Sequence, residues 1–291
     1  MSRKFAALLI VSLAIATPLW AQAVAQDNAT PNATAPLQGL GLVMPNQKTP
    51  IAIEADNGLE WRREENVYIA RGNATAQSGE LKIRADELRG YYRSTADSQF
   101  ELYKLEAIGG VVLNSGDQTA TAEKAFYDLD QKAFVLLGDK IELRSAQATL
   151  VANDRIEYWQ DRNLAVARGG AVAIQGPNRL MAQTVTAHFT PGANGKKPSV
   201  QSLDASGEVR IEAKQNLAQA ESASYDLSSN LVTLRGNVRL TQGPNQLNGE
   251  FAELNTQTGV SRILGNKDAT KGQARVRALI IPNAAKNTSS F

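Results

Sequence analysis

Along most of this chain apolar and polar residues alternate, and they do so around a recurring glycine. In the clearest copy Val232, Leu234, Val238 and Leu240 fall on one side, while Thr233, Arg235, Asn237, Arg239 and Thr241 fall on the other. A period of two marks a strand with one buried face and one wet face. The same reading puts Val135, Leu137, Ile141 and Leu143 inward in one copy, Leu164, Val166, Val172 and Ile174 in another, and Val209 with Ile211 in a third. The central glycines are Gly72, Gly109, Gly138, Gly169, Gly207 and Gly236, with a worn seventh at Gly265. Their intervals of 37, 29, 31, 38, 29 and 29 residues contain two long repeats, and copies three apart are separated by 97 or 98 residues. The spacing predicts a duplicated block of three repeats followed by a terminal copy. The extra residues fall near Tyr92 to Tyr103 and near Pro191 to Ser202. One such unit cannot bury its own apolar face, whereas stacked units can.

No long stretch keeps a helical period, so the apolar faces must cover one another. That predicts an all-β fold of two facing antiparallel sheets, a sandwich or jelly roll that lengthens as repeats are added, with roughly 20 strands of ordinary short length. Ala55, Ala85, Ala122, Ala152 and Ala182 fall at inner positions. Small residues there either let the sheets approach closely or leave room for alkyl chains, and the pattern alone leaves both readings open.

Residues 1–25 read as a secretory signal: Arg3 and Lys4, an apolar run from Phe5 to Ala16, and small-residue cleavage sites ending at Ala23 or Ala25. Residues 26–49 are rich in Asn, Thr, Pro and Ala and read as a flexible lead-in. The predicted β region spans 50–266, divided into repeat blocks 50–147 and 148–245 and a terminal repeat 246–266. A C-terminal tail, 267–291, holds one candidate edge strand at Val276 to Ile281, closed by Pro282. The absence of cysteine excludes a disulfide framework and a lipidated lipoprotein start. The net charge is +2, and it falls to zero without the signal segment. A neutral chain without a basic stripe argues against a nucleic-acid partner, because that binding rests on phosphate neutralisation.

Catalysis finds little support. His188 is the only histidine, and no His, Asp and Glu set has metal-ligand spacing, so neither a metal nor another cofactor is expected. The recurrent acids Asp56, Asp86, Glu123, Asp154 and Glu221 occupy the same place in successive copies, which suits a structural role. A β-solenoid polysaccharide-acting enzyme would need one unique cluster of acids and bases instead. The terminal Phe291 suggests an outer-membrane barrel, but the residues before it carry no aromatic girdle.

The opening Pro50-Ile51-Ala52-Ile53-Glu54-Ala55-Asp56, the tract Leu234 to Gly243 (Leu-Arg-Gly-Asn-Val-Arg-Leu-Thr-Gln-Gly) and the element Tyr127 to Gly138 come in order behind the signal segment. Together they resemble the LptA/OstA family of periplasmic lipopolysaccharide-transport proteins. The resemblance implies an elongated, twisted, incomplete antiparallel β-jelly roll whose apolar groove shields the acyl chains of lipopolysaccharide between the inner and outer membranes. It implies edge-strand pairing with an LptC-like inner-membrane protein and an LptD-like outer-membrane protein, head-to-tail self-association, and a periplasmic location. The chain fits the middle piece of such a bridge; an LptC-like or LptD-like end piece is the alternative. By the same likeness Ile51, Ile53, Val111, Leu113, Tyr127 and Leu129 match groove-lining positions. The alternation adds Val135, Leu137, Val166, Val172, Ile174, Val238 and Leu240 to the expected lining. The chain is longer than compact family members by about one block of 97 residues.

Overall fold

The structure, a computed structural model, describes residues 50–96, 100–146, 148–190, 199–213, 216–258, 260–265 and 275–281. The expected signal segment and lead-in lie outside the described residues, as does most of the expected C-terminal tail. Among the described residues there is no helix, and 18 strands form one antiparallel sheet. In chain order they are β1 (Ala52–Glu54), β2 (Leu59–Arg62), β3 (Val67–Ser78), β4 (Leu81–Arg93), β5 (Glu101–Ser115), β6 (Gln118–Asp128), β7 (Ala133–Leu137), β8 (Ile141–Arg144) and β9 (Thr149–Ala152). Then come β10 (Arg155–Trp159), β11 (Leu164–Gln175), β12 (Asn178–Thr190), β13 (Ser199–Ala213), β14 (Asn216–Asp226), β15 (Leu231–Gln242), β16 (Asn245–Asn255), β17 (Ser261–Leu264) and β18 (Arg277–Leu279). The number is a little below the 20 expected because most strands run 11 to 15 residues.

Pairing follows the chain. Long strands join their neighbours by hairpins, several through a two-residue turn that opens on a glycine, such as Gly79-Glu80 and Gly116-Asp117. The remaining rungs are pairs of short strands laid end to end: β1 with β2, β7 with β8, β9 with β10, and β17 with β18. Among the described residues β1 and β2 pair only with β3, and β17 and β18 only with β16, so both edges of the sheet are unpaired.

The central glycines explain how one sheet supplies two facing layers. Each long strand changes register midway, for example between Ile108 and Val111 on β5 and between Arg235 and Val238 on β15. At Gly109, with φ of 79°, a Cβ would stand 2.2 Å from Oδ2 of Asp86; at Gly236 it would stand 2.4 Å from Oε2 of Glu221. Only glycine tolerates both the left-handed backbone and that approach. The recurrent acids are therefore partners of the glycine corners: Asn73 donates to Asp56 at 2.9 Å and Asn237 to Glu221 at 2.5 Å. Bulges in successive strands line up into a crease, and residues from both sides of it join one core.

Two transverse rows on the inner face define the crease's two sides. On one side run Trp61, Tyr68, Gly90, Leu105, Tyr127, Phe134, Tyr158, Ala165, Ala187, Leu203, Tyr225, Val232, Leu254 and Ser261. On the other run Ile53, Ala76, Ile83, Leu113, Ala120, Leu143, Leu150, Ala173, Leu180, Ile211, Ala218, Leu240, Leu247 and Ala278. Every member of the second row is apolar, from the first strand to the last. Leu113, Leu136, Ile141 and Leu150 are among the largest fully buried side chains, each contributing about 1.5–3 kcal/mol of burial.

Of the expected lining, Val238 and Leu240 keep their inward phase and five residues do not. Val135, Leu137, Val166, Val172 and Ile174 face outward, as does Leu164, read inward with them. Phe134 and Leu136, which flank Val135, are core residues, and Leu137 lies opposite Lys124 and Arg155. Ala165, Ala167, Ala171 and Ala173 are the inward residues of β11, leaving Val166, Val172 and Ile174 on the wet side, opposite Glu157, Met181 and Arg179. Two causes are physical. At the Gly138 corner five positions separate the inward Leu136 and Ile141, against four between Leu234 and Val238, so phase cannot be carried back across it. In β11 both faces are apolar, and only alanine fits the close approach of the layers. The displaced Val166 is still buried, covered from outside by long side chains such as Arg168 and Glu157.

Candidate functional site

At the N-terminal end the two layers diverge and enclose a cavity of about 440 Å³, within the size range of ligand sites. The short edge strands contribute Ile53, Leu59 and Trp61; the long strands behind them contribute Tyr68, Ala76, Ile83, Leu88, Leu105, Leu113 and Tyr127, and the short β7 contributes Phe134. The lining is overwhelmingly apolar because β1–β7 present their inner rows to it. Its mouth is aromatic. Trp61 stacks on Tyr68 with ring centres 5.4 Å apart, Phe100 lies 4.6 Å from Tyr92 and 5.5 Å from Tyr68, and the Trp61 indole donates to the Tyr92 hydroxyl at 2.7 Å. Rings that pack on one another keep an apolar opening from collapsing.

Few polar groups enter. The Tyr127 hydroxyl donates to Oε1 of Gln160 at 3.4 Å, and burial, with Asp161 and Asp128 nearby, pushes its pKa up, so it stays a neutral donor. The Ser78 hydroxyl is buried without a partner at the far side of the lining. Glu60, Arg89 and Glu106 also border the cavity, and their charges are paired. Arg62 and Arg71 bind Glu60 at 2.7 and 2.5 Å, Arg71 reaches Glu87 at 2.7 Å, Arg89 also binds Glu87, and Lys104 binds Glu106 at 2.5 Å. The Arg62 and Arg71 guanidinium groups hold the Glu60 carboxyl down at about 2. At Glu87 burial pushes upward, but Arg89 and Arg71 outweigh it and the carboxyl sits below its ordinary value.

Of the residues expected to line a groove, Ile51, Ile53, Leu113 and Tyr127 meet in this cavity. Val111 and Leu129 belong to the neighbouring core, and Val238 and Leu240 to a smaller cluster near the C-terminal end. The five outward residues reach none of these. Sequence reasoning missed Trp61, Tyr68, Phe100 and Leu105. A signal for the aromatics was present, since six aromatic residues fall between Trp61 and Tyr103 in a chain that is 6% aromatic. Among the described residues no group of three or more His, Cys, Asp or Glu is placed to hold a metal ion.

Comparison with known proteins adds three findings. The family model described as LptA/(LptD N-terminal domain) LPS transport protein matches twice, over residues 52–163 and 150–260. The two matches start 98 residues apart and together span most of the chain. A protein of Rhizobium meliloti (strain 1021), itself described as uncharacterized, is 30% identical over 182 residues, covering 60% of this chain and 95% of the relative. A similar solved structure is LptH of Pseudomonas aeruginosa, titled the LptA homologous periplasmic component of the conserved lipopolysaccharide transport device. It is 14% identical and covers 82% of this chain and 100% of that one, with a TM-score of 0.23.

Proposed function

Because the chain belongs to the LptA/(LptD N-terminal domain) family of LPS transport proteins, we propose that it carries lipopolysaccharide with the acyl chains sheltered on its inner face. The observation that supports this most is the unbroken apolar row from Ile53 to Ala278, which crosses every rung of the sheet. Each sheltered methylene is worth about 0.8 kcal/mol, so an acyl chain moves between membranes only along a continuous apolar path. The N-terminal cavity, with its aromatic mouth, is an open part of that path and the natural entry.

The same reading makes the protein a periplasmic bridge component. Its unpaired edges, β1 with β2 and β17 with β18, are suited to accepting a strand from an LptC-like partner at one end and an LptD-like partner at the other. Apolar side chains are exposed at both: Ile53, Leu59 and Trp61 at the first, Leu264, Leu279 and Ile280 at the second. The protein supplies shelter and position; bond-making is no part of the role.

The test is site-specific photo-crosslinking with purified lipopolysaccharide. A photoreactive residue at Ile53 traps lipid, and one at Arg239, on the wet face of β15, does not. Equal labelling at the two positions, or none at Ile53, overturns the reading.

A further inference from the structure

The two inner rows on either side of the crease change exposure together along the sheet. On one side Trp61 is 47% exposed and Tyr68, Gly90 and Leu105 are half-buried. Every member from Tyr127 to Tyr225 is buried, and Val232 and Leu254 are half-buried again. On the other side Ile53 is 42% exposed and Ile83 half-buried; the row is buried from Leu113 to Ala173, and Leu180, Ile211 and Leu240 are half-buried beyond it. The two buried stretches overlap across β6–β11, and of these strands β6 and β7 still line the cavity, which leaves β8–β11 as the closed part. The interior is accessible from either end and shut across the middle.

The side chains differ between the open and the closed half. Where the first half has Tyr68 and Gly90 beside an open cavity, the positions 97 residues later are Ala165 and Ala187, 3% and 0% exposed. Ala165 replaces the larger Tyr68 and pairs directly with Ala187 on the same side of the crease. Tyr158 and Phe189, their rings edge to face at 5.9 Å, fill the remaining space above them. Burial pushes the Tyr158 phenol's pKa up, in keeping with a dry surrounding.

We infer that the inner face is an N-terminal chamber and a more exposed C-terminal end separated by a closed waist at β8–β11, so that an acyl ligand rests in the N-terminal chamber and passes on only when the interior opens at Tyr158 and Phe189. This rests on the acyl-chain reading above and adds to it a resting position and a gate. A packed interior is bistable more readily than it is continuously deformable, so passage is a discrete opening.

The experiment places a benzoylphenylalanine at Tyr68 or at Tyr158, both aromatic positions that accept a ring, and exposes each full-length protein to purified lipopolysaccharide. Labelling at position 68 is expected to exceed that at 158 by about tenfold or more, since a minor open state is rarely above a tenth of the population. Equal labelling overturns the waist while leaving the acyl groove intact. Absence of label at both positions overturns the groove, and the waist with it. In a Phe189→Ala background, labelling at 158 is expected to rise several-fold; an unchanged ratio overturns the assignment of the ring pair as the closure.

Discussion

Ala70 and Ala167, Ala85 and Ala182, Ala107 and Ala205, and Leu136 and Leu234 are pairs of residues 97 or 98 positions apart, and both members of each pair are buried on the inner face. The outer faces over the same strands share little. Glu87, Arg89, Lys104, Glu106, Phe126 and Val135 in the first half correspond to Thr184, Thr186, Ser202, Asp204, Ser224 and Thr233 in the second. The first half carries a ladder of cation–carboxylate pairs; the second keeps its first rung, with Arg168 3.6 Å from Glu157 as Arg71 binds Glu60, and beyond it carries hydroxyls, with His188 3.3 Å from Asp204 and Arg210 2.8 Å from Glu212. An inner position must be apolar and must also fit the gap between layers, so few residues satisfy it. An outer position must only be compatible with water and a strand. Three of the inner differences fall where the first half opens into a cavity and the second is closed: Trp61 against Tyr158, Tyr68 against Ala165, Gly90 against Ala187.

If the two halves are interchangeable as units, the largest effect comes from cutting one out. Deleting residues 68–164 joins Val67 to Ala165, equivalent points on β3 and β11, and keeps every downstream inner row in phase. That protein is expected to fold to a shorter β-rich form, judged by circular dichroism and a cooperative melt. Deleting 68–165 instead turns the remaining inward residues of that strand toward water, and the product is expected to be insoluble. Equal behaviour of the two deletions means that the 97-residue block is not a unit.

A smaller effect separates the faces within one strand. Leu136→Ala is expected to cost about 2–5 kcal/mol, as for a fully buried leucine, while Val135→Ala next to it costs about 1 kcal/mol or less. Leu234→Ala in the second half should match Leu136→Ala, and Thr233→Ala should be near neutral. Urea melts of the four variants check this; a Val135 variant as damaging as the Leu136 variant contradicts the outward assignment.

The smallest effect concerns the ladder of the first half. Glu60, at about 2, titrates below its ordinary 4.5, so the unfolded chain binds more protons than the folded one between those values. Its contribution is present above about pH 4.5 and fades as pH falls toward 2. Glu60 is exposed, so the contribution is screened and small. Glu60→Gln is expected to flatten the fall in urea midpoint between pH 5 and 2.5 slightly and to leave the midpoint at pH 7 nearly unchanged. A fall as steep as in the parent protein removes the ladder from the comparison.

Period-two alternation, the recurring glycines and the 97-residue offset are local properties, and the sequence by itself determined from them an all-β chain of stacked antiparallel strands, the inward phase of β15 and the small inner alanines of β4, β6, β9 and β12. Alternation shows which residues share a face, but it names the buried face only where one face alone is apolar. In β11 both faces are apolar, and at Gly138 one extra residue breaks the phase, so the outward placement of Val135, Leu137, Val166, Val172 and Ile174 came from the approach of the other layer. Likewise Gly109 and Gly236 announced a turn of the backbone, while the alignment of such bulges into one crease required neighbouring strands to be in register. The cavity was least legible of all. It lies beside Trp61, Tyr68 and Phe100, where the closed half has Ala165 in place of Tyr68, and the width of a gap between layers is a property of both at once.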